Sequence, residues 1–344
     1  MNLKNGCLAL VFALFIGNNQ YAQNGKTTNC FYDNDKTHTL NFNPVYVTGE
    51  VFQAGVAKTE GLQLHSVIVK ETYFNNDSSI GFTGAYRYDG YSLKELLDPF
   101  VLNKRNALDF PPLIDLFVEI SNDNGDKVVL SWGEIYYPNK PNQIIIAVQV
   151  MPIIPEKTKD HWPIPVQSKL IVSNDLVSVR NIDNPTKITV RTVQVDAEIS
   201  KGKFPMQSDQ VNVFLNDKQI DIISGFPDDC EKLTLHTVFY GKGRGLHSTD
   251  PFTGCNIKEL FLKYFTFNTE IFMNGLVVFV ADDGYRAVFT VSELCNRNDQ
   301  EYSLLLFDED DKGKGKFRVF PSCDFFSDRA VKALTDIKIM NYHF

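Results

Sequence analysis

The sequence predicts a strand-rich α+β fold made of two tandem copies of one module. Three observations predict it. First, segments recur in the same order at separations of roughly 150 to 170 residues, a period that marks a duplicated unit. "LQLHSV" (62–67) returns as "LTLHTV" (233–238), and "SLKELL" (92–97) as "NIKELF" (256–261). "NGDKVVLSWGEI" (124–135) returns as "DGYRAVFTVSEL" (283–294), and 169–190 more loosely as 316–339. Second, glycine-bearing Asx turns, Asn124-Gly125 and Asp283-Gly284, stand between apolar runs, which is a hairpin signal. Third, 27 Phe and 14 Tyr in a Val- and Ile-rich chain favour sheets over a helix bundle.

Taken in order, residues 1–23 read as a signal peptide. Lys4 supplies the positive start, Cys7 to Ile16 form an apolar core too short to span a bilayer, and Ala22 lies near a cleavage site at about residue 23. The expected location is therefore exported, periplasmic or extracellular. Residues 24–43 are a polar arm. The first copy spans 44–196, a polar linker with Gly and Pro spans 197–208, and the second copy spans 209–344.

Each copy opens on a strand, "VYVTGEVF" or "QVNVFLND", and continues into the His-bearing segment. A short amphipathic helix follows, with Leu93, Leu96 and Leu97 on one stripe and Ile257, Leu260 and Phe261 on its counterpart. An apolar strand, "LFVEIS" or "GLVVFVA", leads through the glycine turn to an alternating return strand. Ser131 and Thr290 then stand as helix N-caps, each with a Glu three residues on, the spacing of a capping box. A buried strand ("IIIAV", "SLLLF"), a strand "KLIVS" or "FRVFP", and a closing strand "KITVRTV" or "DIKIMNY" complete the unit.

Six cysteines occur, none at C-x-x-C spacing, which disfavours a zinc knuckle or thioredoxin-type site. Cys295 and Cys323 stand where neighbouring strands could pair them, and buried free thiols are the other reading. A formal net charge of −8 argues against binding a nucleic-acid backbone. No later stretch reaches the length of a membrane-spanning helix.

The order of elements resembles the molybdopterin-binding domain of the sulfite oxidase family. "TGCNIKELF", "GLVVFVADDGYRAVFTVSEL", "SLLLFDEDDKGKGKFRVFP" and "DRAVKALTDIKI" carry the resemblance, which covers nearly all of the second copy and more faintly the first. It implies that fold and an oxidoreductase ancestry. In that family a cysteine thiolate after an early strand holds molybdenum, a soft ligand suited to that metal. The corresponding stretches here, 62–79 and 233–250, contain no cysteine. The resemblance therefore implies the scaffold with its molybdenum chemistry gone.

The best ligand loop is "YGKGRGLHSTD" (240–250), in which glycines free the backbone and Lys242 and Arg244 supply charge. His236 and His247 flank or sit in this loop, and a neutral imidazole can ligate or take a proton near neutral pH. Arg286 and Arg329 are matched in type by Lys127 and Arg180 of the first copy, so they line a pocket or form ion pairs that fix the fold. The expected site is thus His236, Lys242, Arg244, His247, Arg286 and Arg329, with no catalytic or metal-ligating set. The expected function is a non-catalytic scaffold for a small anionic ligand or a protein partner. The alternative is an oxidoreductase holding molybdopterin or another anionic cofactor in the second copy.

Overall fold

The computed structural model describes residues 34–310 and 312–342. The signal peptide and the first half of the polar arm expected from the sequence lie outside the described residues, as do Cys7 and Cys30. The first half contains β1 (His38–Thr39), β2 (Tyr46–Gly49), β3 (Gly55–Val56), β4 (His65–Phe74), β5 (Ile80–Ser92), β6 (Leu116–Ser121), β7 (Lys127–Ser131), β8 (Ile144–Pro152), β9 (Lys169–Val172) and β10 (Lys187–Thr192). The second half contains β11 (Val211–Leu215), β12 (Lys218–Ile223), β13 (Lys232–Leu235), β14 (Phe239–Gly241), β15 (Gly245–Ser248), β16 (Phe252–Asn256), β17 (Gly275–Ala281), β18 (Arg286–Thr290), β19 (Ser303–Phe307), β20 (Phe317–Pro321) and β21 (Leu334–Asn341). Short helices interrupt them: α1 (Leu93–Leu97), α2 (Trp132–Tyr136), α3 (Ile257–Leu262), α4 (Thr269–Asn274) and α5 (Val291–Cys295).

Two sheets share one strand order. β3-β2-β10-β6-β7 in the first half runs as β12-β11-β21-β17-β18 in the second. In both, the parallel pair joins the opening and closing strands, β2 with β10 and β11 with β21. The remaining sheets also correspond, with β4-β5-β8-β9 matching β13-β16-β19-β20 and β1 added beside β8. These four small sheets are arranged as a four-bladed β-propeller. A separate hairpin, β14–β15, stands off the second half.

This overturns the expected α+β class and the sulfite oxidase-type fold, and with them the reading of the chain as oxidoreductase-like. Strand accounts for 42% and helix for 11%, so helices cannot form a layer. The helical stripes are real but short. Leu93, Leu96 and Leu97 are buried on α1, and Ile257, Leu260 and Phe261 on α3. One or two turns fill a corner between sheets, while the sheets cover one another.

The central strands show why the periodicity misleads. Every residue of β6 and β17 is buried. Leu116, Val118 and Ile120 face the first core, and Val277, Phe279 and Ala281 the second. The opposite faces meet each other: Phe117, Val129 and Val193 pack against Leu276, Val278, Val280 and Val288. A strand covered on both faces loses its alternation and reads as a continuous apolar run.

Both capping boxes form. Ser131 accepts from the Glu134 amide and Thr290 from the Glu293 amide, while each Glu side chain returns to the cap amide. The β17–β18 turn requires glycine at 284: φ is +79°, and a Cβ there would lie 2.2 Å from the Glu198 carbonyl oxygen.

Candidate functional site

The β14–β15 hairpin builds one side of an open cavity. Its tip carries Lys242, Gly243 and Arg244, all exposed. Gly241 leaves room for His247, since a Cβ at 241 would lie 2.4 Å from the imidazole Nε2. Phe239 anchors the hairpin: its ring lies 5.4 Å from His247 and 5.3 Å from Phe252, within a cluster that includes Leu304, Phe320 and Ala330.

The cavity is about 250 Å³ and is lined by Met206, Phe239, His247, Ala281, Asp283, Tyr285, Ser327, Asp328, Ala330 and Lys332. The Tyr285 hydroxyl donates to the Asp328 carbonyl at 2.7 Å, and burial pushes its pKa up. Asp328 Oδ2 is buried without a hydrogen-bond partner among the described residues. The wall is therefore apolar at Phe239, Met206, Ala281 and Ala330, with polar groups converging beside it.

One cation, Lys332, lines the cavity, and three more lie near enough to act on its charge. Lys332 bridges to Arg318 across neighbouring chain segments. Its pKa is lowered by burial first, then by the charges of Arg318, Lys314 and Arg244. Burial also lowers Arg318, with Asp308 acting in the opposite sense. Among the described residues none of these four cations has an ion-pair partner within 4.0 Å. These cations are unpaired, with Asp308 acting on Arg318 from nearby and Asp283 and Asp328 sharing the cavity wall with Lys332.

The expected site residues are thus dispersed. His247 lines the cavity and Arg244 joins its cationic rim, with Lys242 beside it at the hairpin tip. His236 is exposed just beyond β13 and lines neither this cavity nor the one that holds Arg286. Its counterpart His65 instead holds Glu95, with Nε2 3.0 Å from the carboxylate. Arg286 is buried against Asp115 in a different cavity.

Arg329 is sealed inside the molecule. It donates two parallel hydrogen bonds to Asp324, at 2.7 and 2.6 Å, and a third group reaches Glu293 at 3.1 Å. The same nitrogen donates to Ser131 of the other half at 3.2 Å. Arg180 repeats the pattern with Asp175 at 2.8 and 2.7 Å, Glu134 at 3.0 Å and Thr290 of the other half at 3.2 Å. Each capping hydroxyl therefore accepts from the opposite half's arginine. Only about 10 Å³ of space remains there.

Burial pushes Glu293 up to about 7 against the pull of Arg329, and neighbouring Glu134 adds to the rise. The network has two guanidinium groups and four carboxylates, so the cations cannot neutralise every acid.

The cysteines divide between the two readings. Cys230 and Cys255 form a disulfide, whereas Cys295 and Cys323 are free, buried and not paired with each other. Burial pushes both free thiols up, so neither offers a ready thiolate. The residues present do not fit a molybdenum-pterin group.

Phe239, Tyr285, Asp328 and Lys332 were not legible as site residues. Tyr285 lies in the turn that marks the repeat, but nothing in the sequence brings Lys332 to Arg244. Among the described residues no helix is long and apolar enough to cross a membrane. Comparison with family models, curated proteins and solved structures finds no match.

Proposed function

We propose that the protein is a non-catalytic binding scaffold that takes a small anionic ligand with an apolar body beside the β14–β15 hairpin. The carrying observation is an unpaired Lys332 lining a cavity of about 250 Å³, with Arg318, Lys314 and Arg244 near enough to act on its charge. The apolar wall would take the body of the ligand and the rim its charge. The two carboxylates that burial raises, Glu293 and Asp175, lie in the sealed network and not in this cavity, which favours binding over proton-transfer chemistry here.

Titration with phenyl phosphate tests this reading. Saturable binding is expected, weakened about tenfold by Arg244→Ala or Lys332→Ala, the scale of one charge-assisted hydrogen bond. Absence of binding, or equal binding by both variants, overturns it.

Export belongs to the same proposal. The Cys230–Cys255 disulfide suits an oxidising compartment. Alkylation of protein taken from its native cells, with and without reductant, should find that pair protected; two freely alkylated thiols would overturn export.

A further inference from the structure

A second cavity, about 440 Å³, opens where the chain passes between the halves. Its wall includes Arg105, Asn106, Thr192 to Asp196 and Arg286. Arg286 begins β18, opposite Val280 of β17, and its side chain is only 7% exposed. The loop before the short turn Leu113–Asp115 brings Lys104 and Asn106 to the same place.

Two buried or nearly buried carboxylates serve this corner: Glu50 acts on Lys104 and lies 3.8 Å from Arg105, and Asp115 meets Lys104 and Arg286. Asp115 is fully buried and faces two buried cations, Lys104 at 2.8 Å and Arg286 at 3.4 Å. Lys104 lies 2.8 Å from Oδ1 of Asp115 as an ion pair, although that oxygen accepts no hydrogen bond among the described residues, and the Asn106 amide donates to Oδ2 at 2.9 Å. Arg286 reaches it through Nε alone, at the longest distance of the set. Among the described residues its two Nη groups have no hydrogen-bond acceptor. Neither Nη is a buried unpartnered atom, so both open onto the cavity, where an incoming anion can reach them.

The geometry also suits one kind of anion. The Phe110 ring lies 4.8 Å from the guanidinium carbon, which backs the fork and fixes its plane. The free Nη pair offers the parallel donors that a carboxylate accepts in bidentate fashion. Val193 and Val195 supply an apolar wall, and Asp196 on the same cavity disfavours a more highly charged phosphate.

We propose that Arg286 is the anchor of a second ligand site, one that takes a small organic carboxylate across the junction of the halves. The site stands independently of the hairpin cavity.

The test is a titration of the full chain with propionate, followed by the Arg286 side-chain N–H resonance and by calorimetry. Saturable binding in the millimolar range is expected, with the Arg286 resonance moving as sites fill. Arg286→Lys keeps the charge but loses the fork, and should bind at least about tenfold more weakly. Arg105→Ala, at the exposed rim, should weaken binding several-fold without affecting folding. Arg244→Ala should bind propionate as the native chain does, which separates this site from the hairpin cavity. The proposal is overturned if native protein does not saturate, or if inorganic phosphate competes better than propionate. It is equally overturned if Arg286→Lys binds normally or, should that variant misfold, if Arg105→Ala does.

Discussion

The sealed network around Arg180 and Arg329 and the open rim around Arg244 and Lys332 use the same residue types to opposite ends. In the network each guanidinium is no more than 1% exposed and has a bidentate carboxylate, a second carboxylate and a hydroxyl. At the rim no described carboxylate lies within ion-pair distance of Arg244, Lys314, Arg318 or Lys332, although Asp308 acts on Arg318 from farther off. Desolvation explains the difference: a buried charge must be met within the protein, whereas a half-exposed one can wait for a ligand. The network lies where the two capping boxes meet, so it couples the ends of α2 and α5 to the junction of the halves.

Breaking the network should produce the largest effect. Arg329→Met strands Asp324 and Glu293 without their cation, and loss of one partner from a buried pair costs about 3–5 kcal/mol. Urea unfolding should show that loss in the midpoint. A variant as stable as native would mean that the arginine merely fills space.

The pH dependence sharpens the comparison further. Glu293 is raised from 4.5 to about 7 in the folded chain, chiefly by burial. Below 4.5 both folded and unfolded states hold the proton, and no penalty arises. Between 4.5 and about 7 the unfolded state releases it first, so stability falls as pH rises, by about 3 kcal/mol in all. Asp299 acts in the opposite sense: hydrogen bonds and charge from Arg297 outweigh its burial and lower its pKa, so its contribution is lost at acid pH. Glu293→Gln keeps the capping geometry and should remove the fall between pH 5 and 8. Stability curves with the same slope in native and variant would count against a protonated Glu293.

The two halves differ within the network, and that difference is testable. A Cβ at Gly133 would lie 2.3 Å from the Arg329 guanidinium. The group cannot retreat, because Asp324, Glu293 and Ser131 hold it. The corresponding residue of the second half is Ser292, whose hydroxyl donates to Asp175 at 3.2 Å. Gly133→Ala should therefore cost about 1–3 kcal/mol through overpacking. Ser292→Ala should lose about 1 kcal/mol, the worth of one hydrogen bond. Thermal melts that rank the two in reverse would show the network to be slack at Gly133.

What the sequence reveals follows from range. Capping boxes span three residues and a glycine turn spans five, so Ser131, Thr290 and Gly284 were readable. Leu96 and Leu260 declared their buried faces by helical spacing. The blade arrangement was not readable, because it depends on Phe117 meeting Val278, residues separated by nearly half of the chain. Arg180 and Arg329 stood out as a matched pair, with ion pairing as one of two readings. Their exchange of capping partners between the halves left no local trace. At the rim, Arg244 and His247 were visible in a glycine-rich loop, but Lys332 joins them only through the bridge to Arg318.

The smallest expected stability change completes the contrast. Arg244 is exposed, lies at a hairpin tip and has no ion pair among the described residues. Arg244→Ala should alter unfolding free energy by no more than about 0.5 kcal/mol, as is usual for surface positions. The same change should weaken phenyl phosphate binding about tenfold, because its charge is spent on the ligand and not on the fold. Arg329→Met should do the reverse to stability, since every donor of that residue is already engaged inside the protein. A substantial stability loss in Arg244→Ala would place the hairpin tip in the fold's own support and remove the rim from the binding site.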